Sequence, residues 1–291
     1  MLVLRRAVIR RLRLLWKALG RSGGRLLTQG ALTVALIAGA LGLAVYAVPH
    51  AGPDWAYGEE TEPVADSEQD DDPPLAVPPG VDAIPGVPAG PAPGSTTDPN
   101  SDMDSRLKAW ADNLAHVGIS PRALQAYGNA EIVLAGVKPQ CHLSWTTLAG
   151  IGSVETNHGT TGGTSLGADG HPVKPIRGPA LDGTNNNKRI PDTDGGEYDG
   201  DTEFDRAVGP MQFIPQTWER WKADGDGDGV SDPNDIDDVA VAAGHYLCAD
   251  GRDLSRAADW YAAVFAYNHL DSYVRDVYAR ADEYGKKSRS R

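Results

Sequence analysis

Apolar residues recur at every third or fourth position along most of the chain past its first third, which is the period of helices packed on one face. The first series contains Leu107, Trp110 and Leu114, and Gly118 is expected to end that helix. Capping residues and helix-starting prolines predict where the later helices begin: Ser120-Pro121, Ser144, Pro215, Asp235, Ser255 and Asp271. No stretch alternates convincingly as a strand does, so the pattern predicts a mainly α domain over residues 105–285.

One long segment, from about Gly159 to Gly209, interrupts the helical pattern and is rich in Gly, Asp, Asn and Pro. A connection of this length inside a compact domain is uncommon and usually functional, so we expect it to fold over an active cleft. Its acidic residues are interpreted as a solvated acidic face, although one of them could serve as a second catalytic carboxylate: Asp182, Asp192, Asp194, Asp199, Asp201 and Asp205.

Glu155 is the residue whose position in the helical pattern indicates a catalytic role. It lies on the same face of the helix begun by Ser144 as Leu148, Ile151 and Gly152. Burial among apolar groups is expected to raise the pKa of its carboxyl toward neutrality. A carboxyl of that kind holds a proton and delivers it to a leaving group, as a general acid does in glycosidic cleavage. The alternative is a surface glutamate near the end of a helix.

The N-terminal part of the chain predicts a membrane anchor. Residues 1–30 carry eight Arg or Lys and no acid, and the uncharged stretch 26–48 reaches the length of a membrane-spanning helix. The positive charge places residues 1–25 in the cytoplasm as a basic segment and everything after the anchor outside. Secretion after signal-peptide cleavage is the alternative.

The segment that follows has the composition of a tether. Residues 49–104 contain twelve prolines, thirteen Asp or Glu and no base, so they are predicted to form a disordered, extended linker.

The chain ends in a short basic tail at 286–291. The formal net charge of the whole chain is -13, which argues against nucleic acid as a partner, because phosphate binding needs a basic surface. Cys141 and Cys248 are expected to form one disulfide in an exported domain.

A twelve-residue run from Asp224 to Asp235 fits the EF-hand type of calcium loop, which uses carboxylates at positions 1, 3, 5 and 12, glycine at 6 and a carbonyl at 7. The predicted ligands are Asp224, Asp226, Asp228, Val230 and Asp235, with Asp232 at position 9. Position 12 is aspartate instead of glutamate, and a shorter side chain is expected to weaken calcium binding. The alternative is an acidic turn that binds no ion.

Two further runs place polar groups beside apolar ones. Gln212 lies in Gly-Pro-Met-Gln-Phe-Ile-Pro, just before a predicted helix, where burial of its amide requires a hydrogen-bonding partner. That partner is either a ligand or a core group. Tyr267 and Asn268 lie where another helix is predicted to end.

In this order, Ser-Val-Glu155-Thr156, Gly-Pro-Met-Gln212-Phe-Ile-Pro, the calcium-type loop and Ala-Tyr267-Asn268 resemble the lytic murein transglycosylases. The resemblance is greatest to their membrane-bound B-type family and covers about residues 105–285. It implies a lysozyme-like (SLT-type) helical domain that cleaves the bond between N-acetylmuramic acid and N-acetylglucosamine as a glycosidic bond lyase. The long segment after His158 and the cysteine pair depart from the family pattern.

The resemblance also implies roles for individual residues. Glu155 is the catalytic acid and base, one structural calcium ion occupies the acidic loop, and peptidoglycan strands are the substrate. The predicted substrate-binding residues are Thr156, Met211, Gln212, Phe213, Tyr267 and Asn268. The membrane and other cell wall enzymes are the expected partners. Alternatives are a hydrolytic muramidase, a peptidoglycan-binding scaffold without activity and an extracellular calcium sensor.

Overall fold

The computed structural model describes residues 99–184 and 187–290. Seven helices and one pair of short strands are the main elements of this part of the chain: α1 Pro99–Asn113, α2 Pro121–Val137, α3 Trp145–Thr156, β1 Arg177–Ala180, β2 Arg206–Val208, α4 Pro215–Trp221, α5 Ile236–Leu247, α6 Ala257–Tyr267 and α7 Asp271–Arg289. The prediction of a mainly α domain is therefore confirmed.

The predicted basic segment, the anchor at 26–48 and most of the linker lie outside the described residues. Within the described ranges, none of the helices combines the length and the apolar character needed to cross a membrane. Two segment boundaries lie at other positions in the structure than the sequence predicted. Helix α1 begins at Pro99, inside the segment predicted as linker, and α7 continues through the predicted basic tail to Arg289.

Three of the predicted helix caps are confirmed. The side-chain oxygens of Ser120, Ser144 and Asp235 accept backbone N–H groups at the starts of α2, α3 and α5. These bonds satisfy amides that have no partner within the helix itself. The local sequence therefore determines where these three helices begin.

The predicted caps Ser255 and Asp271 are wrong. The hydroxyl of Ser255 donates to the carboxylate of Asp253, at 2.6 Å, and α6 begins two residues later without a side-chain cap. Asp271 is the first residue of α7 and accepts the hydroxyl of Tyr261 instead of a helix amide. In both places a competing side chain takes the polar group that the pattern assigned to the helix end.

Helix α3 lies in the core and packs most extensively against α7, while α2 packs against α5. Glycine permits the close approach of α3 to its neighbours. A Cβ atom at Gly150 would lie 2.7 Å from the carbonyl oxygen of Val277 in α7, and one at Gly152 would lie 2.0 Å from the Tyr127 hydroxyl of α2. Larger residues at either position would therefore push apart the helices that hold Glu155.

The segment between α3 and α4 contains the two strands, which the sequence pattern did not predict. They pair antiparallel, with Arg177 opposite Val208 and Ala180 opposite Arg206, and the register shifts between these pairs. Strands of four and three residues are too short to show alternation.

The interpretation of the six aspartates of this segment as a solvated acidic face is wrong for two of them, while the other four are partly exposed. Asp199 and Asp205 are buried, at 8% and 0% exposure. Asp205 accepts the backbone N–H and the hydroxyl of Thr193, and Asp199 accepts the backbone N–H groups of Asp201 and Arg206. An irregular chain leaves amides unpaired, and these carboxylates satisfy them from within the segment.

A disulfide joins Cys141, which follows α2, to Cys248 at the end of α5, as predicted. The two cysteines are 107 positions apart, and their Cα atoms lie 5.5 Å apart. Both side chains are buried in the core. The bond therefore closes a loop that contains α3 and the whole Gly/Asp-rich segment.

Candidate active site

Glu155 lies in the last turn of α3 and is half-buried. Leu148, Ile151 and Gly152 are buried on its face of the helix, as the pattern predicted. Burial raises the pKa of the Glu155 carboxyl from 4.5 to about 7, and a hydrogen bond from Tyr273 opposes part of that rise. The side chain thus keeps contact with solvent and titrates near neutrality.

Two tyrosines surround this carboxyl. The Tyr273 hydroxyl donates to Oε1 of Glu155 at 2.6 Å. The ring of Tyr267 stacks parallel to that of Tyr273, with centroids 6.5 Å apart and an interplanar angle of 5°. Burial, then the charge of Glu155, raises the pKa of both phenols, so both remain hydrogen-bond donors.

Gln212 lies in a tight turn, residues 209–212, which is closed by backbone pairing of Val208 with Phe213. Gln212 has a φ of 52°, and its side-chain amide donates to the carbonyl oxygen of Gly209 at 2.9 Å. A Cβ atom at Gly209 would lie 1.8 Å from the carbonyl oxygen of Pro233, so only glycine fits there. The amide oxygen of Gln212 faces β1, near Gly178.

The other predicted substrate-binding residues take different positions. Met211 and Phe213 are buried in the core, at 0% and 3% exposure. Phe213 packs edge-on against Tyr267, whose hydroxyl donates to the carbonyl oxygen of Met211 at 2.8 Å. Asn268 is half-buried where α6 ends.

Thr156 is also buried, at 2% exposure. Its hydroxyl donates to the carbonyl oxygen of Pro210 and accepts the backbone N–H of Gly159. The bond to Pro210 ties the end of α3, which carries Glu155, to the turn at 209–212, which carries Gln212. The Thr156 hydroxyl therefore both donates to and accepts from protein groups.

His158 is a residue that the sequence reasoning missed. It is 4% exposed, has a φ of 61°, and follows Asn157, which has a φ of 50°. Its Nδ1 lies 3.1 Å from the Tyr127 hydroxyl and its Nε2 lies 2.9 Å from the Tyr284 hydroxyl. Burial, then the charge of Arg280, lowers the pKa of His158 to about 4, so the ring is neutral. It therefore anchors the chain just after Glu155 to both α2 and α7.

Tyr273 was missed as well, although a signal for it exists. It lies four positions before Val277, on the inward face of α7, which places a phenol on an apolar stripe. What the sequence does not indicate is that this stripe packs against the end of α3, 118 positions earlier.

The predicted calcium loop carries the turns expected of its acidic residues. Asp224 accepts the backbone N–H groups of Gly227 and Gly229, at 2.7 and 3.0 Å. Asp226 accepts that of Asp228, and Asp228 accepts that of Val230. Each carboxylate is thereby turned into the loop.

The carboxylates that converge are those of Asp224, Asp226 and Asp238, whose ligand oxygens lie within 4.8 Å of one another. Asp235, the predicted residue at position 12, is outside this group. Its carboxylate accepts the backbone N–H of Asp237 and lies 3.5 Å from the ring of His171.

Asp238 lies in the first turn of α5 and is buried. It also accepts the backbone N–H groups of Gly225 and Asp232, at 2.6 and 2.8 Å. Burial raises the pKa of Asp238 to about 6, and the charges of Asp226 and Asp224 add to that rise. An oxygen-rich group of this kind suits a hard cation such as calcium.

Comparison with protein-family models, curated proteins and solved structures gave no match for this chain.

Proposed function

We propose that this protein is a peptidoglycan lytic transglycosylase with a lysozyme-like domain. The observation that carries the proposal is Glu155, a half-buried carboxyl with a pKa of about 7 that accepts a hydrogen bond from Tyr273. A group that titrates near neutrality can serve in turn as acid and as base. We place the domain outside the membrane that residues 26–48 are proposed to cross.

The proposed reaction uses Glu155 twice. Its protonated carboxyl gives a proton to the glycosidic oxygen, and the bond between that oxygen and C1 of N-acetylmuramic acid breaks. The resulting carboxylate then removes the proton from the 6-hydroxyl of the same sugar, and that oxygen bonds to C1. The product is a 1,6-anhydro ring, Glu155 regains its proton, and no water is consumed.

Tyr273 is proposed to orient the carboxyl and to stabilise its charged form between the two steps. A hydrogen bond to a carboxylate favours ionisation, which opposes the effect of burial. The pKa of Glu155 therefore stays near neutrality instead of rising further. Tyr267, stacked on Tyr273, limits the positions that the phenol can take.

A hydrolase of either stereochemistry would normally use a second carboxylate. Asp199 and Asp205, the two buried carboxylates of the Gly/Asp-rich segment, accept hydrogen bonds within that segment. A carboxylate committed to such bonds is a poor general base, so we propose the lyase, and the mass of the products distinguishes it from the hydrolytic muramidase.

We also propose that the acidic loop binds one structural calcium ion through Asp224, Asp226 and Asp238, with Asp228 and the carbonyl of Val230 completing the set. When bound, the ion would neutralise the converging carboxylates and hold the loop against α5.

Calcium titration followed by thermal unfolding tests this set of ligands. The wild type is expected to gain stability with calcium, and Asp238→Asn is expected to lose that gain. Asp235→Asn should keep the gain, because Asp235 lies outside the group. An equal gain in the wild type and in Asp238→Asn would rule out this ligand set.

The test of the catalytic proposal is cleavage of purified peptidoglycan by Glu155→Gln. We expect a folded variant without activity, since the amide can neither give nor take the proton. Glu131→Gln is the matched control. Glu131 is also a partly buried carboxyl with a pKa raised to about 7, but it accepts the backbone N–H of Trp145 at the opposite end of α3. Full activity in Glu155→Gln, or equal loss in both variants, would refute the assignment.

A further inference from the structure

The chain turns sharply just after Glu155. Helix α3 ends one residue later, and the next three residues have φ values of 50°, 61° and 79°: Asn157, His158 and Gly159. A residue with a side chain rarely adopts this left-handed conformation, because its Cβ atom crowds the backbone. Two such residues in succession persist only where the surrounding structure holds them in place. Bonds to other parts of the fold are therefore needed to fix this turn.

The side chain of His158 makes two of these bonds. Its ring is buried between the rings of Tyr127 in α2 and Tyr284 in α7, with centroids 5.8 and 5.7 Å away. Its Nδ1 lies 3.1 Å from the Tyr127 hydroxyl, and its Nε2 lies 2.9 Å from the Tyr284 hydroxyl. A neutral imidazole donates at one nitrogen and accepts at the other, so it satisfies both bonds at once. The ring cannot turn without losing a buried hydrogen bond.

His158 also contacts α3 on the turn before Glu155. The carbonyl oxygen of Gly152 accepts the backbone N–H of His158 at 2.8 Å. A Cβ atom at Gly152 would lie 2.0 Å from the Tyr127 hydroxyl and 3.5 Å from Nδ1 of His158, so glycine leaves the space that both groups occupy. Gly152 lies one turn before Glu155 on the same face of the helix. The bonds of His158 therefore fix α3 both before and after Glu155.

The bond between His158 and Tyr284 is a second link between the two helices that Glu155 and Tyr273 join. Tyr273 and Tyr284 both lie on α7, about three turns apart, and both side chains are buried. The Tyr273 hydroxyl donates to Glu155 at 2.6 Å. A hydrogen bond weakens steeply as its distance and angle change, so a small shift of α3 along α7 would loosen this bond.

We propose that His158, held between Tyr127 and Tyr284, is a positioning residue that fixes the end of α3 so that the Glu155 carboxyl keeps its bond to Tyr273. The expected effect on rate rests on the proposed function, whereas the effect on the carboxyl itself requires no substrate. Burial, then the charge of Arg280 on α7, lowers the pKa of His158 to about 4, so the ring stays neutral where Glu155 titrates. A changed titration near neutrality in a variant therefore reports on Glu155.

The test removes the bonds of His158 one at a time in the full chain. Tyr127→Phe and Tyr284→Phe each remove one bond and keep the aromatic ring, while His158→Gly removes both and suits the left-handed backbone. NMR of isotope-labelled carboxyl groups measures the pKa of Glu155 in the free protein, and cleavage of purified peptidoglycan gives kcat and KM. Thermal unfolding establishes that each variant is folded.

Both phenylalanine variants are expected to raise the pKa of Glu155 toward its value in Tyr273→Phe, because a looser Tyr273 bond favours the charged carboxyl less. Each should lower kcat by about tenfold and leave KM unchanged. His158→Gly should show the largest change. Tyr278→Phe is the matched control, since Tyr278 is also on α7 but packs edge-on against Trp260, with centroids 5.8 Å apart. It should leave both the pKa and kcat unchanged.

An unchanged Glu155 pKa in either folded phenylalanine variant would overturn the proposal, because a loss of thermal stability alone would make His158 a structural link. An equal rise in Tyr278→Phe would also overturn it, since any loosening of α7 would then suffice. The proposed function fails separately, if the wild type does not cleave peptidoglycan. In that event a raised pKa in both variants would still establish that His158 positions the Glu155 carboxyl.

Discussion

Replacing Glu155 by glutamine is expected to stabilise the protein in a way that depends on pH. In the folded state burial raises the pKa of this carboxyl to about 7, while in the unfolded chain it returns to about 4.5. The folded protein therefore binds the Glu155 proton more tightly than the unfolded chain does. Binding of this proton stabilises the folded state by its full amount below pH 4.5, and that stabilisation is lost as the pH rises through 7.

The size of the effect follows from the two pKa values. A rise from 4.5 to about 7 corresponds to about 3 kcal/mol between low and high pH, as an upper value because the side chain is only half-buried. For a domain of this size that is a difference of about 6 to 12 °C in the midpoint of thermal unfolding. Glutamine carries no ionisable proton and avoids this loss.

Thermal unfolding of the wild type and Glu155→Gln across this pH range measures the effect. The two proteins should unfold at similar temperatures near pH 4, and the variant should be the more stable by the full amount near pH 8. Calcium is held constant, so that the acidic loop contributes equally to both. A difference that does not change with pH would mean that the Glu155 carboxyl is solvated, and the argument for a general acid would fail.

Three further changes test the surroundings of the site. Tyr273→Phe should raise the pKa of Glu155 further, which moves the alkaline limb of the pH profile of kcat to higher pH and lowers kcat by about tenfold; an unmoved limb would contradict this. Gly209→Ala should cost about 3 kcal/mol or more in chemical denaturation, because its Cβ atom would overlap a carbonyl oxygen. Replacing Cys141 and Cys248 by serine should cost about 4 to 5 kcal/mol, and reduction of the wild type should reproduce that loss.

The helices could be predicted where local sequence decides their ends. Ser120, Ser144 and Asp235 bond to amides within three residues, and the pattern placed all three starts correctly. The prediction that Ser255 caps α6 failed because its hydroxyl donates to Asp253, two residues earlier. Competition of that kind depends on backbone geometry that a residue pattern does not contain.

The site could be predicted only in part, for a related reason. Glu155 and Gln212 could be singled out because each is a polar residue within an apolar local run. Tyr273 and His158 act through partners on distant parts of the chain, so no local pattern indicates their bonds. The resemblance implied that Met211 contacts the ligand, but its side chain is buried in the core.

The mass of the products formed by the wild type tests the central claim most directly. Glycan strands from purified peptidoglycan are digested in water enriched in heavy oxygen, and the new muramic acid ends are analysed by mass spectrometry. The account predicts 1,6-anhydro ends that lack one water relative to a reducing end and contain no heavy oxygen. Reducing ends that carry the heavy oxygen would contradict it, because water instead of the 6-hydroxyl would then have attacked C1.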